Sequence, residues 1–175
     1  EPNEELEKRS INTIQTKKVA DVISDGCIIG GTVWALCLEE LKDKFDLLVI
    51  DEAGQMSLAN LVIMSGCAKS ILLVGDQQQL SHVSEALHDS DAGLSSLEYW
   101  LSMKKVIPSN LGVFLNKSWR MHPRITSIVS DLFYEGKLKG YENNEVNKIY
   151  WRENFISEMK KEIPENGVHF EVIKH

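Results

Sequence analysis

The sequence predicts an α/β domain with a parallel β-sheet flanked by helices. Two short apolar runs, 47–50 and 71–74, have the composition of strands buried on both faces. The residues between them, 56–69, are numerous enough for the crossover helix that parallel neighbours require. Strands and helices continue to alternate along the chain, which is typical of doubly wound folds.

The remaining elements follow from shorter patterns. Pro123 suits the first turn of a helix at 124–133. The helices that contain Trp34 and Trp100 are expected to turn these indoles into the core. We further predict strands at 27–32, 112–115 and 167–173, helices within 1–25 and at 33–42, 95–103 and 150–161, and loops at 81–93 and 141–148.

Composition narrows the class of protein. The chain has 175 residues, 43% hydrophobic and 26% charged, which is normal for a globular core, and no apolar run long enough to span a membrane. Its net charge of −7 disfavours nucleic-acid binding through bulk positive charge. No signal peptide opens the chain, and its first residue is Glu1 rather than Met, so we expect an internal piece of a longer protein. Its three cysteines, 27, 37 and 67, form no CxxC pair and predict reduced core thiols.

Polar side chains follow both central strands. Asp51 and Glu52 end the first strand, and Gly75 and Asp76 end the second. Carboxyl ends of parallel strands meet at one sheet edge, where ligands of α/β sheets bind. One carboxylate could hold magnesium and the next could polarise water, provided that the turn at 53–54 redirects Glu52. The alternative is an acidic strand end that faces solvent.

Three further side chains have two interpretations each. Gln79 could sense a terminal phosphate, or it could merely hydrogen-bond within a turn. Arg120 offers a fork of donors to phosphate, or it could pack on Trp119. His122 is expected to be a structural hydrogen-bonding residue rather than a base.

In order and spacing, these motifs resemble the superfamily 1 helicases of the nonsense-mediated-decay and replication-nuclease type. That family carries Asp-Glu-Ala-x-Gln, Gly-Asp-x-x-Gln-Leu and Tyr-Arg-Met-His-Pro boxes, matched here at 51–55, 75–80 and 119–123. Segments 30–32 and 133–138 also match. The closer resemblance is to prokaryotic members in which a RecB-like nuclease domain precedes the helicase. It is carried by residues 30–34, 51–57 and 119–123. Trp119 and Gly54 depart from the commoner residues without removing a phosphate-facing group.

The resemblance implies an incomplete RecA-like P-loop NTPase motor domain that uses ATP and Mg²⁺. It makes Glu52 the catalytic base, Asp51 the metal ligand and Arg120 an arginine finger. It also implies that Gln55 and Gln79 lie near the terminal phosphate and that Gly75 and Asp76 make further contacts with the nucleotide. Gly31 and Thr32 would contact nucleic acid.

A phosphate-binding loop, G-x-x-x-x-G-K-[ST], is absent from the sequence. The one Gly-Lys pair, Gly136 and Lys137, is followed by Leu138, and Asp131 stands where the first glycine should be. We therefore expect the loop upstream of this chain and the isolated chain to be inactive. Residues 1–140 would form the C-terminal part of a first motor domain, and 141–175 a linker and the start of a second.

The sequence thus predicts a piece of an ATP-dependent DNA or RNA helicase. Expected partners are single-stranded nucleic acid, with DNA favoured over RNA, and a nuclease domain in the same parent chain. We expect a cytoplasmic location and no membrane contact. Two alternatives stay open: an interaction domain that has lost catalysis, and an ATPase that translocates or remodels without unwinding. The tryptophans that could stack on bases are 34, 100, 119 and 151.

Overall fold

A computed structural model describes residues 12–80, 90–102, 104–148, 150 and 166–168. The chain divides into two compact units, Glu1–Ser102 and Met103–His175. Each unit is described by itself. In the described residues, no helix is both long and apolar enough to cross a membrane.

The first unit is built on two parallel strands. Strand β1 is Phe45–Ile50 and strand β2 is Ala68–Leu73, paired so that Leu48 lies beside Ile71 and Ile50 beside Leu73. Helix α2, Leu58–Ser65, connects them. The predicted parallel neighbours and crossover helix are therefore present, although both strands begin earlier than the apolar runs indicated.

Strand β1 is buried on one face only, and no residue of β2 is fully buried. Leu48 and Ile50 are 6% and 4% exposed, whereas Leu47 and Val49 are 51% and 54% exposed. Successive side chains of a strand point to opposite faces, and the described part of this unit covers just one of them. The prediction of strands buried on both faces was wrong for this reason. The buried apolar residues around the strands are Leu41, Leu61, Met64 and Cys67.

Local side-chain chemistry sets the ends of the helices. The Ser57 hydroxyl accepts a hydrogen bond from the Asn60 N–H at 3.2 Å and caps α2. Helix α3, Ser96–Leu101, begins with a capping box in which the Ser95 hydroxyl accepts from Glu98 N–H and the Glu98 carboxylate accepts from Ser95 N–H. The helix predicted at 95–103 is confirmed.

Both predicted core tryptophans are exposed. Trp34 is 79% and Trp100 is 59% exposed, so the prediction was wrong. Trp34 lies in helix α1, Val33–Leu36, which is only 4 residues long and buries none of its residues. Helix α3 buries Ser96, Leu97 and Leu101, which leaves the side with Trp100 uncovered.

The beginning of the first unit is less regular than predicted. Residues 27–32 form no strand, and Ile28 is 99% exposed, because no strand of the described chain pairs with them. The helix predicted at 33–42 is split into α1 and a 3₁₀ turn, Glu39–Leu41. Within 1–25, the described part contains a 3₁₀ helix, Thr16–Val22. Of the loop predicted at 81–93, residues 90–93 are described and form a 3₁₀ turn.

The cysteines agree with the expected reduced thiols. Cys27, Cys37 and Cys67 are free, and Cys67 is buried while the other two are half-buried. Burial raises the pKa of the Cys67 thiol, which makes its reactive thiolate scarcer near neutral pH.

The second unit contains two short parallel strands that pair directly and are connected by a helix. Strands β3, Lys117–Ser118, and β4, Lys139–Gly140, flank helix α4, Pro123–Phe133. Pro123 occupies the first turn of α4, as predicted. A Cβ on Gly140 would stand 2.8 Å from Pro123 Cα, so a glycine is needed where β4 meets the helix.

The strand predicted at 112–115 was wrong. Val113 and Leu115 are 82% and 76% exposed, and regular pairing begins only at Lys117. The loop predicted at 141–148 contains a 3₁₀ helix, Glu142–Val146. The helix predicted at 150–161 and the strand predicted at 167–173 lie mostly outside the described residues.

Candidate functional site

The chain turns sharply directly after β1. Asp51 and Glu52 lie in the turn and are exposed, and Glu52 has φ 52° and ψ 39°, a left-handed conformation that costs energy for a residue with a Cβ. A 3₁₀ turn, Ala53–Gln55, follows. The expected redirection of Glu52 therefore occurs at Glu52 itself rather than at 53–54.

Three backbone–backbone hydrogen bonds and one bond to a side chain hold this turn. Glu52 N–H donates to Asp51 Oδ1 at 3.0 Å, and Gln55 N–H donates to the Glu52 carbonyl at 2.8 Å. Ala53 N–H donates to the Val74 carbonyl at 2.9 Å, and Val74 N–H donates to the Ile50 carbonyl at 2.8 Å. The acidic turn is thus tied on both sides to the end of β2, which can maintain a strained residue.

The second turn is organised by Asp76. Its Oδ1 accepts from Gln78 N–H at 2.9 Å, and its Oδ2 accepts from the Gln79 side-chain amide at 3.2 Å. Gln79 N–H also donates to the Asp76 carbonyl at 3.4 Å. Asp76 therefore fixes both the backbone of this turn and the direction of the Gln79 side chain.

The two turns touch through glycines. A Cβ on Gly54 would stand 2.8 Å from the Asp76 carbonyl oxygen, and one on Gly75 would stand 2.8 Å from Ala53 N and 3.1 Å from Leu97 Cδ1. No residue with a side chain fits either position without backbone movement. The structure thereby brings Asp51, Glu52, Gln55, Gly75, Asp76 and Gln79 together at one edge of the sheet.

Helix α3 supports this edge in a way that the sequence analysis missed. The Ser96 hydroxyl lies 2.7 Å from the Ala53 carbonyl and 3.1 Å from the Met56 carbonyl, and Ser96 N–H donates to Met56 O at 2.8 Å. Ser95 and Ser96 are both 0% exposed. The capping-box pattern of Ser95 and Glu98 was visible in the sequence, but the target of the Ser96 hydroxyl was not.

The predicted nucleic-acid residues Gly31 and Thr32 precede α1 and are exposed. Thr32 is the N-cap residue of α1, and its side chain makes no capping hydrogen bond. Its carbonyl accepts from Ala35 N–H at 3.0 Å and Leu36 N–H at 3.2 Å. The backbone of Thr32 is thus engaged in the helix while its side chain faces solvent.

Arg120 belongs to the second unit, where it is exposed. Its neighbour Trp119 is 65% exposed and packs on Tyr141, with 4.6 Å between ring centroids. The cation over both rings is Lys117 Nζ, at 4.2 Å from the Trp119 centroid and 4.5 Å from that of Tyr141. The role of Arg120 stays a prediction.

His122 is a structural residue, as expected. It is 7% exposed and caps α4, with Nδ1 accepting from Arg124 N–H at 3.1 Å. Its carbonyl accepts from Thr126 Oγ1 at 3.1 Å. Both interactions order the start of α4, and the first of them gives the buried imidazole a structural role.

Comparisons with known proteins show which proteins the chain resembles. Residues 3–84 match the model of an AAA domain, AAA_11. The mouse 5'-3' DNA helicase ZGRF1 is 34% identical over 117 residues, which are 63% of this chain and 6% of the mouse protein. The chicken DNA replication ATP-dependent helicase/nuclease DNA2 is 34% identical over 101 residues, 57% of this chain and 10% of that protein. The ATP-dependent helicase upf1 of Schizosaccharomyces pombe is 37% identical over 99 residues, 56% of this chain and 10% of its own length.

These similarities support the chain as a piece of a superfamily 1 helicase. The α/β architecture with parallel strands and flanking helices fits the RecA-like P-loop fold of this superfamily 1 helicase group. The chain spans about a tenth or less of the three relatives described above.

Proposed function

We propose that the full-length protein is an ATP-dependent helicase, and that the first unit contributes part of its nucleotide site. The observation that supports this most strongly is the contact between the two strand-end turns. The turn with Asp51 and Glu52 and the turn with Asp76 and Gln79 are joined by backbone hydrogen bonds and by the approach of Gly54 to Asp76. Side chains with the chemistry of triphosphate hydrolysis are thereby held at one edge.

The proposed roles follow from the chemistry of each side chain. Glu52 accepts a proton from the attacking water, because its carboxylate is exposed and its backbone is held in one conformation. Gln79 is directed by Asp76 and contacts the terminal phosphate, together with Gln55 from the first turn. Gly75 and Asp76 shape the nucleotide-facing backbone.

Asp51 fits a Mg²⁺ ligand. Within the described residues no group of three or more His, Cys, Asp or Glu side chains could form a protein cage for a metal ion. Mg²⁺ does not need such a cage, since it commonly binds one or two carboxylates, substrate phosphates and water. When bound, the ion would neutralise charge on the phosphates. The exposed Asp51 carboxylate, anchored by Glu52 N–H, supplies one suitable oxygen donor.

The family resemblance supports the remaining assignments. Arg120 would stabilise charge on the transferred phosphate, as a planar fork of donors can. Gly31 and Thr32 would contact single-stranded nucleic acid, with DNA favoured over RNA. We also propose a nuclease domain in the same parent chain, and a cytoplasmic location on the basis of the free thiols.

The test is a Glu52→Gln substitution in the full-length protein. We expect ATP hydrolysis to fall by a factor on the order of 10²–10⁴, the usual contribution of a general base, while nucleotide binding persists. Glu135→Gln is a matched control, because Glu135 is also a left-handed, exposed glutamate but lies in the second unit. Normal hydrolysis by the Glu52→Gln protein would refute the role of Glu52.

Two further measurements separate the alternatives. The isolated 175-residue chain is expected to release no phosphate from ATP, because its sequence contains no phosphate-binding loop. If the full-length protein hydrolyses no ATP, with or without single-stranded DNA, the result would favour the interaction domain that has lost catalysis. Hydrolysis without duplex separation would favour the translocase or remodeller.

A further inference from the structure

We propose that Ser96 is a positioning residue for the turn that carries Asp51 and Glu52. The inference rests on the proposed function, because it concerns the same site. Ser96 does not belong to either strand-end turn and is far from both in sequence. Its hydroxyl nevertheless lies 2.7 Å from the carbonyl oxygen of Ala53, the residue directly after Glu52.

The hydrogen bond between the Ser96 hydroxyl and the Ala53 carbonyl is buried, so its loss should cost stability. Ser96 and Ala53 are both 0% exposed, so water cannot replace the hydroxyl if it is removed. A buried carbonyl that loses a partner retains its desolvation penalty. The other donor to the Ala53 carbonyl, Met56 N–H, is longer, at 3.3 Å.

The position of this carbonyl bears on Glu52. The peptide plane between Glu52 and Ala53 is held by Ala53 N–H on the Val74 carbonyl, at 2.9 Å. The next peptide plane is held by Ser96 on the Ala53 carbonyl. Glu52 itself has a left-handed backbone that would relax if its surroundings allowed it. Ser96 therefore helps to maintain the conformation that presents the Glu52 carboxylate.

Helix α3 is suited to this task because it contacts both turns. Its Ser96 bonds to the first turn, and Leu97 Cδ1 lies 3.1 Å from the place of a Cβ on Gly75 in the second. The start of the helix is fixed by the capping box of Ser95 and Glu98. Ser96 is also anchored by its own N–H, which donates to the Met56 carbonyl at 2.8 Å, so its position does not depend on the Ser95 hydroxyl alone.

The test compares neighbouring serines in the full-length protein. Ser96→Ala removes the hydroxyl from the Ala53 carbonyl, whereas Ser95→Ala removes a helix cap of similar burial that does not contact the acidic turn. We expect kcat for ATP hydrolysis to fall roughly tenfold to a hundredfold in Ser96→Ala, with KM for ATP nearly unchanged, because a misplaced group slows chemistry more than binding. Ser95→Ala should retain kcat within about twofold even though it loses a comparable amount of stability.

A hydroxyl-retaining variant guards against a purely structural explanation. Ser96→Thr keeps the donor but adds a methyl group at a fully buried site, so it should be destabilised and yet keep more kcat than Ser96→Ala. The inference is overturned if kcat falls in proportion to lost thermal stability across Ser96→Ala, Ser96→Thr and Ser95→Ala, whether or not the hydroxyl of residue 96 is present.

Hydrogen exchange provides a readout that does not require activity. Peptides covering residues 51–56 should exchange roughly fivefold faster in Ser96→Ala than in Ser95→Ala, the factor expected for one net hydrogen bond. Unchanged protection of this segment would overturn the inference, whatever the activity. If the unmodified protein hydrolyses no ATP, the proposed function fails, and exchange alone decides whether Ser96 positions the turn.

Discussion

Gly54 lies against the backbone of Asp76 so closely that a Cβ on Gly54 would stand 2.8 Å from the Asp76 carbonyl oxygen. A Cβ on Gly75 would likewise stand 2.8 Å from Ala53 N. The contact joins the backbone of the turn after β1 to the backbone of the turn after β2. Each glycine is needed for space, since neither has a positive φ.

Gly54→Ala and Gly75→Ala should each destabilise the protein by about 1–3 kcal/mol, because an added methyl group meets backbone atoms that cannot rotate away. Equilibrium denaturation of the purified protein measures the effect. Gly66→Ala is the control, since its nearest neighbouring atom would be 4.0 Å away, and it should change stability by less than about 0.5 kcal/mol. Equal effects at Gly54 and Gly66 would contradict the close approach.

The left-handed backbone of Glu52 predicts an unusual order of stability. Glu52→Gly should be more stable than Glu52→Ala by up to about 1 kcal/mol, because glycine adopts this conformation without a Cβ clash. Neither variant should hydrolyse ATP. At Gln55, inside the 3₁₀ turn, alanine should instead be more stable than glycine. The same order at both positions, measured by urea denaturation, would argue against strain at Glu52.

The hydrogen bond from the Gln79 amide to Asp76 Oδ2 predicts non-additive effects on catalysis. In the full-length protein, Asp76→Ala and Gln79→Ala should each lower kcat, and the double variant should lose less than the sum, with a coupling of about 0.5–3 kcal/mol. Gln79→Ala combined with Asp46→Asn, at the other end of β1, should be additive within about 0.5 kcal/mol. Additivity for Asp76 and Gln79 would mean that Asp76 does not direct the amide.

An ion pair across the two strands predicts a dependence on pH and salt. Lys69 Nζ lies 2.7 Å from Asp46 Oδ1, and this hydrogen bond lowers the pKa of Asp46 and raises that of Lys69. The contribution of Asp46 is therefore present above its ordinary pKa and is lost as pH falls through the lowered one. That of Lys69 is present below its ordinary pKa and is lost as pH rises through the raised one.

The measurement is the stability of Asp46→Asn relative to the unmodified protein across pH. The difference should be small because both side chains are exposed, and it should shrink at molar salt. It should also vanish at acid pH, where Asp46 is protonated. A difference that persists unchanged into strong acid would show that the pair is not its cause.

Patterns that depend on near neighbours in sequence were predicted correctly. The apolar runs identified β1 and β2, and the intervening residues identified α2. Pro123 marked the start of α4, and the pair Asp51 and Glu52 was located at a strand end. In each case the physical cause is local, namely a side-chain period, a cap or a restricted φ.

Predictions that needed a distant partner failed. The residues at 27–32 and 112–115 have strand composition, but a strand also requires a neighbour to complete its hydrogen bonds, and the described chain provides none beside them. Trp34 and Trp100 were expected in the core because they are large and apolar, but burial depends on what packs opposite them.

The sequence by itself determined the two parallel strands, their crossover and the identity of the polar residues after them. Only the tertiary structure decided that Gly54 meets Asp76, that Glu52 takes the left-handed conformation and that Ser96 holds the Ala53 carbonyl. These features join residues far apart in the chain. They arise where the turn after β1 meets the turn after β2 and the start of α3, and no local pattern of residues encodes such a meeting.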